Sequence, residues 1–326
     1  VCSLLLGALA GCGGQGNSTV TPPTIGQIYV TKGTGNPIVH FRAGDNGDVT
    51  PQQEIGLANS LARPGTVCID VPNNRLAGSS FDGIPLLVLV DNASSFRGAR
   101  FISGAATTLQ DSGSCALDGT ADLLYVANPG SVAGGSVILV FGPASTASGN
   151  IAPLHTILLP YRSLGIVVDP VNNRLFVADT TDNVINIYDS ASTLNGAVTP
   201  SRTISGPATQ LSSIQFLAFE SSGHLAASVA SGSTVLIFNN AGSISGNVAP
   251  SASFVPAAGV VQMAISPAGD LYVTTLDPEI KVFTNVFTAS GPINPTRIIT
   301  GPHTDLDSPL RGIPPLVGGI AVDPTR

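Results

Sequence analysis

The chain has 326 residues, a net charge of −7, 43% hydrophobic and only 10% charged residues. Its two lysines, Lys32 and Lys281, and its scattered arginines form no basic cluster, which excludes nucleic-acid binding through grouped Lys and Arg that release phosphate counterions. The absence of Trp argues against an aromatic sugar platform, and a charge content far below the about 25% of ordinary domains leaves a surface of Ser, Thr, Asn and Gly, as on exported β proteins.

The N-terminal run Leu4-Leu5-Leu6-Gly7-Ala8-Leu9-Ala10-Gly11 is apolar but shorter than the about 20 residues of a membrane-spanning helix. It reads as the end of a signal peptide, residues 1–11, whose positive leading region is missing from Val1-Cys2-Ser3. Leu9-Ala10-Gly11-Cys12 resembles the lipobox of bacterial lipoproteins. That resemblance implies cleavage before Cys12, a diacylated thiol and an acylated amine, so the membrane is reached through lipid alone. Gly13 after the cysteine is similar to the outer-membrane sorting pattern and implies a periplasmic or surface-facing place in a bacterial envelope. Residues 12–24, rich in Gly, Ser, Thr, Asn and Pro, read as a flexible tether, and residues 25–326 as one domain.

Gln27-Ile28-Tyr29-Val30-Thr31 has the character of the second strand of a repeat, and Pro37-Ile38-Val39-His40-Phe41 follows as a third. Asn46-Gly47-Asp48-Val49-Thr50-Pro51 then recurs as Asn195-Gly196-Ala197-Val198-Thr199-Pro200 and Ser245-Gly246-Asn247-Val248-Ala249-Pro250. It reads as a repeated turn rather than a calcium loop. Cys68 and Cys115 fall near the ends of successive first strands. Counted back from Asp70 and Asp118 they differ by one residue, which directs their side chains to opposite faces. Two buried core residues is one reading, and a disulfide, permitted by an exported location, is the other.

The clearest unit is Leu164–Ser213. It holds strands at Ile166-Val167-Val168, Leu175-Phe176-Val177-Ala178, Val184-Ile185-Asn186-Ile187-Tyr188 and Arg202-Thr203-Ile204, with turns at Asp169-Pro170, Asn172-Asn173 and Thr181-Asp182-Asn183. Polar residues close the first strand of every unit, at Asp70, Asp118, Asp169, Glu220, Ser266 and Asp323. The outer strand runs into a second marker three times: Ile102-Ser103-Gly104 with Thr107 and Leu109, Ile204-Ser205-Gly206 with Thr209 and Leu211, and Ile299-Thr300-Gly301 with Thr304 and Leu306. Four antiparallel strands per unit make a propeller blade.

The chain enters on a second strand and ends on a first strand, Ile320-Ala321-Val322-Asp323. The C-terminal strand therefore completes the N-terminal blade. The predicted fold is all-β, a six-bladed propeller closed by that pairing, with no open sheet edge. Ile166-Val-Val-Asp169-Pro, Arg174-Leu-Phe-Val-Ala-Asp179 and Val184-Ile-Asn-Ile-Tyr188 resemble the NHL and YVTN-type repeats of bacterial exported proteins. The likeness covers residues 25 to 326 and implies a fold more than an activity.

Six-bladed lactonases of the gluconolactonase and paraoxonase kind hold a divalent metal on the axis through converging oxygen ligands. Upstream of the inner strands this chain carries Pro64-Gly65-Thr66, Ser112-Gly113-Ser114, Ser163-Leu164-Gly165, Ser213-Ile214-Gln215, Gly259 to Gln262 and Val317-Gly318-Gly319, without a carboxylate. No metal, cofactor or catalytic residue is assigned. His40, His155, His224 and His303 fall in different blades or layers, and none is placed as the axial histidine of a lyase. Asp70, Asp118, Asp169 and Asp323 read as turn caps that bond their own backbone.

The expected function is a non-enzymatic binding module for an unknown protein or small ligand. The alternatives are a lactonase- or lyase-like enzyme with an unrecognised site, or a structural envelope component. The least uniform loops, about Gly301 to Gly318 and Asn128 to Gly135, are the candidate partner surface, with His303, Asp305, Asp307 and Arg311 as binding residues.

Overall fold

The computed structural model describes residues 26–32, 38–55, 64–80, 85–110, 113–132, 135–256, 259–306 and 317–325. The fourth blade shows how the repeat builds itself. Ile166–Asp169, Arg174–Asp179, Val184–Asp189 and Arg202–Ile204 pair antiparallel in that order. Asn173, at φ +52°, makes the reversal between the first two, and Asn183, at φ +57°, the next. Asparagine tolerates this left-handed region because its short polar side chain costs little there.

Six sheets repeat the pattern. The second blade is Pro64–Asp70, Arg75–Ser80, Leu86–Asn92 and Arg97–Ser103. The third is Cys115–Asp118, Leu123–Val132, Gly135–Phe141 and His155–Leu159. The fifth is Leu217–Phe219, Leu225–Val229, Thr234–Phe238 and Ala252–Pro256, and the sixth Gln262–Ile265, Leu271–Thr274, Ile280–Phe283 and Arg297–Ile299. In the first blade the C-terminal Val317–Asp323 is innermost, followed by Gln27–Lys32, Ile38–Arg42 and Gln53–Ile55. Gln27 faces Asp323, Ile28 faces Val322, and Val30 faces Ile320. The expected six blades and their closure are both present.

The core is divided between the seams. Each of six apolar clusters joins one blade to the next; Phe176, Ile185 and Ile187 of blade four, for example, meet Leu225, Ala227 and Leu236 of blade five. Every blade therefore depends on its neighbours for burial, as stacked repeats do. The Cys68–Cys115 disulfide, with its Cα atoms 5.8 Å apart, crosses the seam between blades two and three. Opposite-facing side chains on adjacent blades are the ones that meet, because the sheets stack face to face. The offset of one residue that separates the two cysteines within the repeat thus brings them together.

The outer rim has its own fastening. The connection between third and fourth strands of one blade lies parallel along the outer strand of the blade before it. Gly47 bridges Ile299, Gly149 bridges Ile102, and Gly246 bridges Ile204, while Gly196–Ala197 and Ser290–Ile293 add short parallel strands to blades three and five. At each bridged glycine both backbone groups are used: Gly246 N–H donates to Thr203 C=O at 2.7 Å and Gly246 C=O accepts from Ser205 N–H at 3.0 Å.

Candidate binding site

The inner strands enclose an axial channel of about 160 Å³. Val67, Ile166, Leu217, Met263, Ala264 and Ile320 are among its lining residues, and Gln262 contributes an amide nitrogen with no hydrogen-bond partner. At the end where the inner strands begin, small residues are a steric requirement. A Cβ on Gly319 would lie 2.3 Å from the Val67 nitrogen, and one on Gly165 would lie 2.5 Å from the Gln215 carbonyl. Hydroxyls tie neighbouring strands together there: Thr66 Oγ1 donates to Gly113 C=O at 3.2 Å, and Ser114 Oγ to Leu164 C=O at 2.7 Å.

At the opposite end the channel widens into a bowl of about 440 Å³. Val71, Val171, Phe219, Pro267 and Pro324 help to line it, and Val171 is 79% exposed. The acidic groups around it are buried and engaged by the turns. Asp70 and Asp169 accept from the backbone and side chain of Asn73 and Asn172, with matching side-chain distances of 2.8 Å. Asp118 accepts from Thr120 N–H and Ala121 N–H, and Asp323 from Thr325 N–H and Oγ1–H. Burial pushes the Asp118 carboxyl up against the pull of those two N–H bonds, and the neighbouring Asp70 and Asp169 push it further. Burial also pushes Glu220 up, but hydrogen bonds from Ser222 and His224 outweigh it and hold the carboxyl below its usual range.

The loop after the sixth blade places two of the expected binding residues. His303 carries a side chain 74% exposed, and its Nδ1 lies 2.6 Å from Asp48 Oδ2. Asp305 forms an ion pair with the buried ammonium of Lys32, which also lies 3.9 Å from Glu54. Burial lowers the Lys32 pKa, against the opposing pull of Glu54. Asp307, Arg311 and Cys12 lie outside the described residues, as does most of the remaining loop.

The described part of this loop follows the repeat. Thr304 Oγ1 donates to Gly301 C=O and accepts from Leu306 N–H; Thr107 and Thr209 do the same in their blades. His303 N–H donates to Asp48 Oδ1 at 2.7 Å, as Ala106 N–H does to Asn150 and Ala208 N–H to Asn247. The described residues of the Asn128 to Gly135 segment continue the hairpin of blade three, with Ser136 paired to Pro129 and Gly135 to Val132.

The other histidines are apart. His224 pairs with Glu220 and stacks on Phe287, with ring centroids 3.8 Å apart. His40 is buried between Tyr29 and Phe96.

No family model matches the sequence, and no curated protein does. The fold is similar to a chain in a crystal structure of a nidogen/laminin complex, with a TM-score of 0.54 and 13% identity over 91% of this chain and 98% of that one. At that identity the likeness concerns the fold alone.

Proposed function

We propose that this protein is a lipid-anchored, extracytoplasmic propeller that binds a partner without performing covalent chemistry on it. One observation carries the reading: the wide end of the axis is lined mainly by apolar surface, while the carboxylates around it are held within the turns. Such an interior suits packing and recognition. The disulfide between Cys68 and Cys115 suits an oxidising compartment outside the cytoplasm. A similar fold occurs in a nidogen/laminin complex, a precedent for a propeller in a protein assembly.

The entry point of the chain adds an orientation. Gly26 packs against Asp323 and Pro324, at the bowl end of the axis. A lipid at Cys12 would hold that end toward the bilayer and turn the loops between second and third strands outward. The partner surface we propose is this outward face, including the loop of His303, Asp305, Asp307 and Arg311 and the hairpin end at Asn128 to Gly135.

Two measurements test the reading. Exported from a bacterial host behind a signal peptide, the parent should partition into detergent and Cys12→Ser should not; equal partitioning removes the anchor. Photo-crosslinkers in cells at Leu276 and Val171, exposed at opposite ends of the axis, then separate the faces. A partner adduct from Leu276 alone is expected, and one from Val171 alone reverses the orientation. No adduct from either position counts against a binding module.

A further inference from the structure

The seam between blades one and two is built differently from the others. Five seams carry the parallel arm at the outer rim. In blade two the third strand turns back after Asn92 through Ala93–Ser95, so among the described residues no arm reaches along blade one. Phe96, at φ +50°, takes part of the space and meets His40 edge-on, with ring centroids 5.0 Å apart.

A cavity of about 310 Å³ lies here, lined by Gln27, His40, Arg42, Gln52 and Gln53. Gln27 pairs with Arg42 and His40 with Gln53 across the strands, so four of the five share one face of blade one. His40 is 3% exposed, and neither ring nitrogen has a hydrogen-bond partner. Both nitrogens are shielded from solvent, so His40 forms part of the cavity wall and the polar contacts fall to Arg42 and the glutamines. Asp45 accepts from the Arg42 backbone N–H at 2.9 Å, while the guanidinium has no ion pair among the described residues.

We propose that this cavity binds a small hydroxy-carboxylate. The guanidinium of Arg42 matches a carboxylate in charge and in its paired donors. The amides of Gln52 and Gln53 each donate and accept, and that of Gln27, whose Oε1 already accepts from the Tyr29 hydroxyl, adds a donor, which suits hydroxyl groups. The volume is at the small end of the about 300–1,000 Å³ of ligand clefts, so the occupant is one small molecule. This site is separate from the outward partner surface, and the failure of either proposal leaves the other standing.

The test is calorimetry on the folded propeller with gluconate, with sorbitol as the same skeleton lacking the carboxylate and acetate as a carboxylate lacking hydroxyls. Gluconate should bind with a Kd of about 1 mM or tighter, and sorbitol and acetate about tenfold more weakly or worse. Arg42→Ala, at an exposed side chain, should weaken gluconate by about tenfold or more. Gln53→Ala, at the exposed edge strand, should weaken binding about fivefold. Absent binding of gluconate at about 10 mM, equal binding of sorbitol, or unchanged affinity in Arg42→Ala would overturn the assignment.

Discussion

The Asp48 carboxylate holds two groups of His303, its backbone N–H at 2.7 Å and its ring Nδ1 at 2.6 Å, across 255 residues of sequence. The first contact is a feature of the repeat, made elsewhere by Asn150 and Asn247. The second occurs where the last full blade meets the first. The hydrogen bond from His303 holds the Asp48 carboxyl below the usual carboxylate range. A lowered carboxyl pKa stabilises the fold above the ordinary Asp value, and that contribution is lost as pH falls through the lowered one. Asp48→Asn should keep the backbone contact, melt modestly below the parent at neutral pH and approach it as pH falls, because this part of the acid dependence is gone. Asp48→Ala should melt lower at neutral pH. Thermal melts from pH 7 to 3 distinguish the two variants.

The glycine facing this carboxylate is constrained in three blades. Gly104, Gly206 and Gly301 have φ of +114°, +111° and +126°, and a Cβ on any of them would meet Asn150, Asn247 or Asp48 within 2.6 Å. Gly206→Ala should destabilise by more than about 1 kcal/mol, since it adds a clash to a backbone conformation that alanine rarely adopts. Urea unfolding measures it; a neutral result would show that the rim arm yields easily.

The disulfide closes a loop with a sequence separation of 47. In the chain-entropy account this stabilises the fold by about 4 kcal/mol. The paired Cys68→Ala and Cys115→Ala variant should unfold at markedly lower denaturant, and reduction of the parent should move it to the same midpoint. Reactive thiols mapped to Cys68 and Cys115, and not only to Cys2 or Cys12, in the unreduced, unfolded protein would refute the pairing.

Ring closure relies on Ile320, Ala321 and Val322, all buried. Removing residues 318–326 exposes the edge of Gln27–Lys32 and gives up about 1.5–3 kcal/mol for each of the two larger side chains. The truncated chain should aggregate or melt far below the parent. Light scattering and calorimetry would show whether the last strand is dispensable.

His40 gives the fold an acid weakness. Burial lowers its pKa from 6.5 to about 4. Below pH 6.5 the unfolded chain takes up a proton that the folded ring refuses, so stability is full above that pH and falls toward pH 4. The loss amounts to at most about 3 kcal/mol. His40→Phe should flatten stability over this window. A parent curve already flat from pH 6.5 to 4 would show that the ring is not shielded from water.

Repetition made the blades legible in the sequence. Turn residues such as Asn172-Asn173 punctuate apolar runs at one spacing, and the mismatched ends revealed the closure. Departures from the repeat were harder to read. Side-chain alternation placed Cys68 and Cys115 on opposite faces, and only the stacking of adjacent sheets shows that those faces meet. His303 and Asp305 stood out as polar residues in a long loop, yet their described surroundings are a third copy of the Thr107 and Thr209 motif. Two signals in the sequence mark the cavity beside His40. His40 and Arg42 are polar at alternate positions of a strand that must bury both faces, and Asp91 to Arg97 is too short to supply the rim arm found in other blades.

The pairing of Gln27–Lys32 has a mechanical consequence. This strand is bonded along both edges, to Val317–Asp323 on one side and Ile38–Arg42 on the other. Tension applied upstream of Gly26 therefore loads two ladders in parallel, and pulling the strand out means shearing both together. A propeller held by its N-terminal side is gripped at a strand that cannot be peeled away one hydrogen bond at a time.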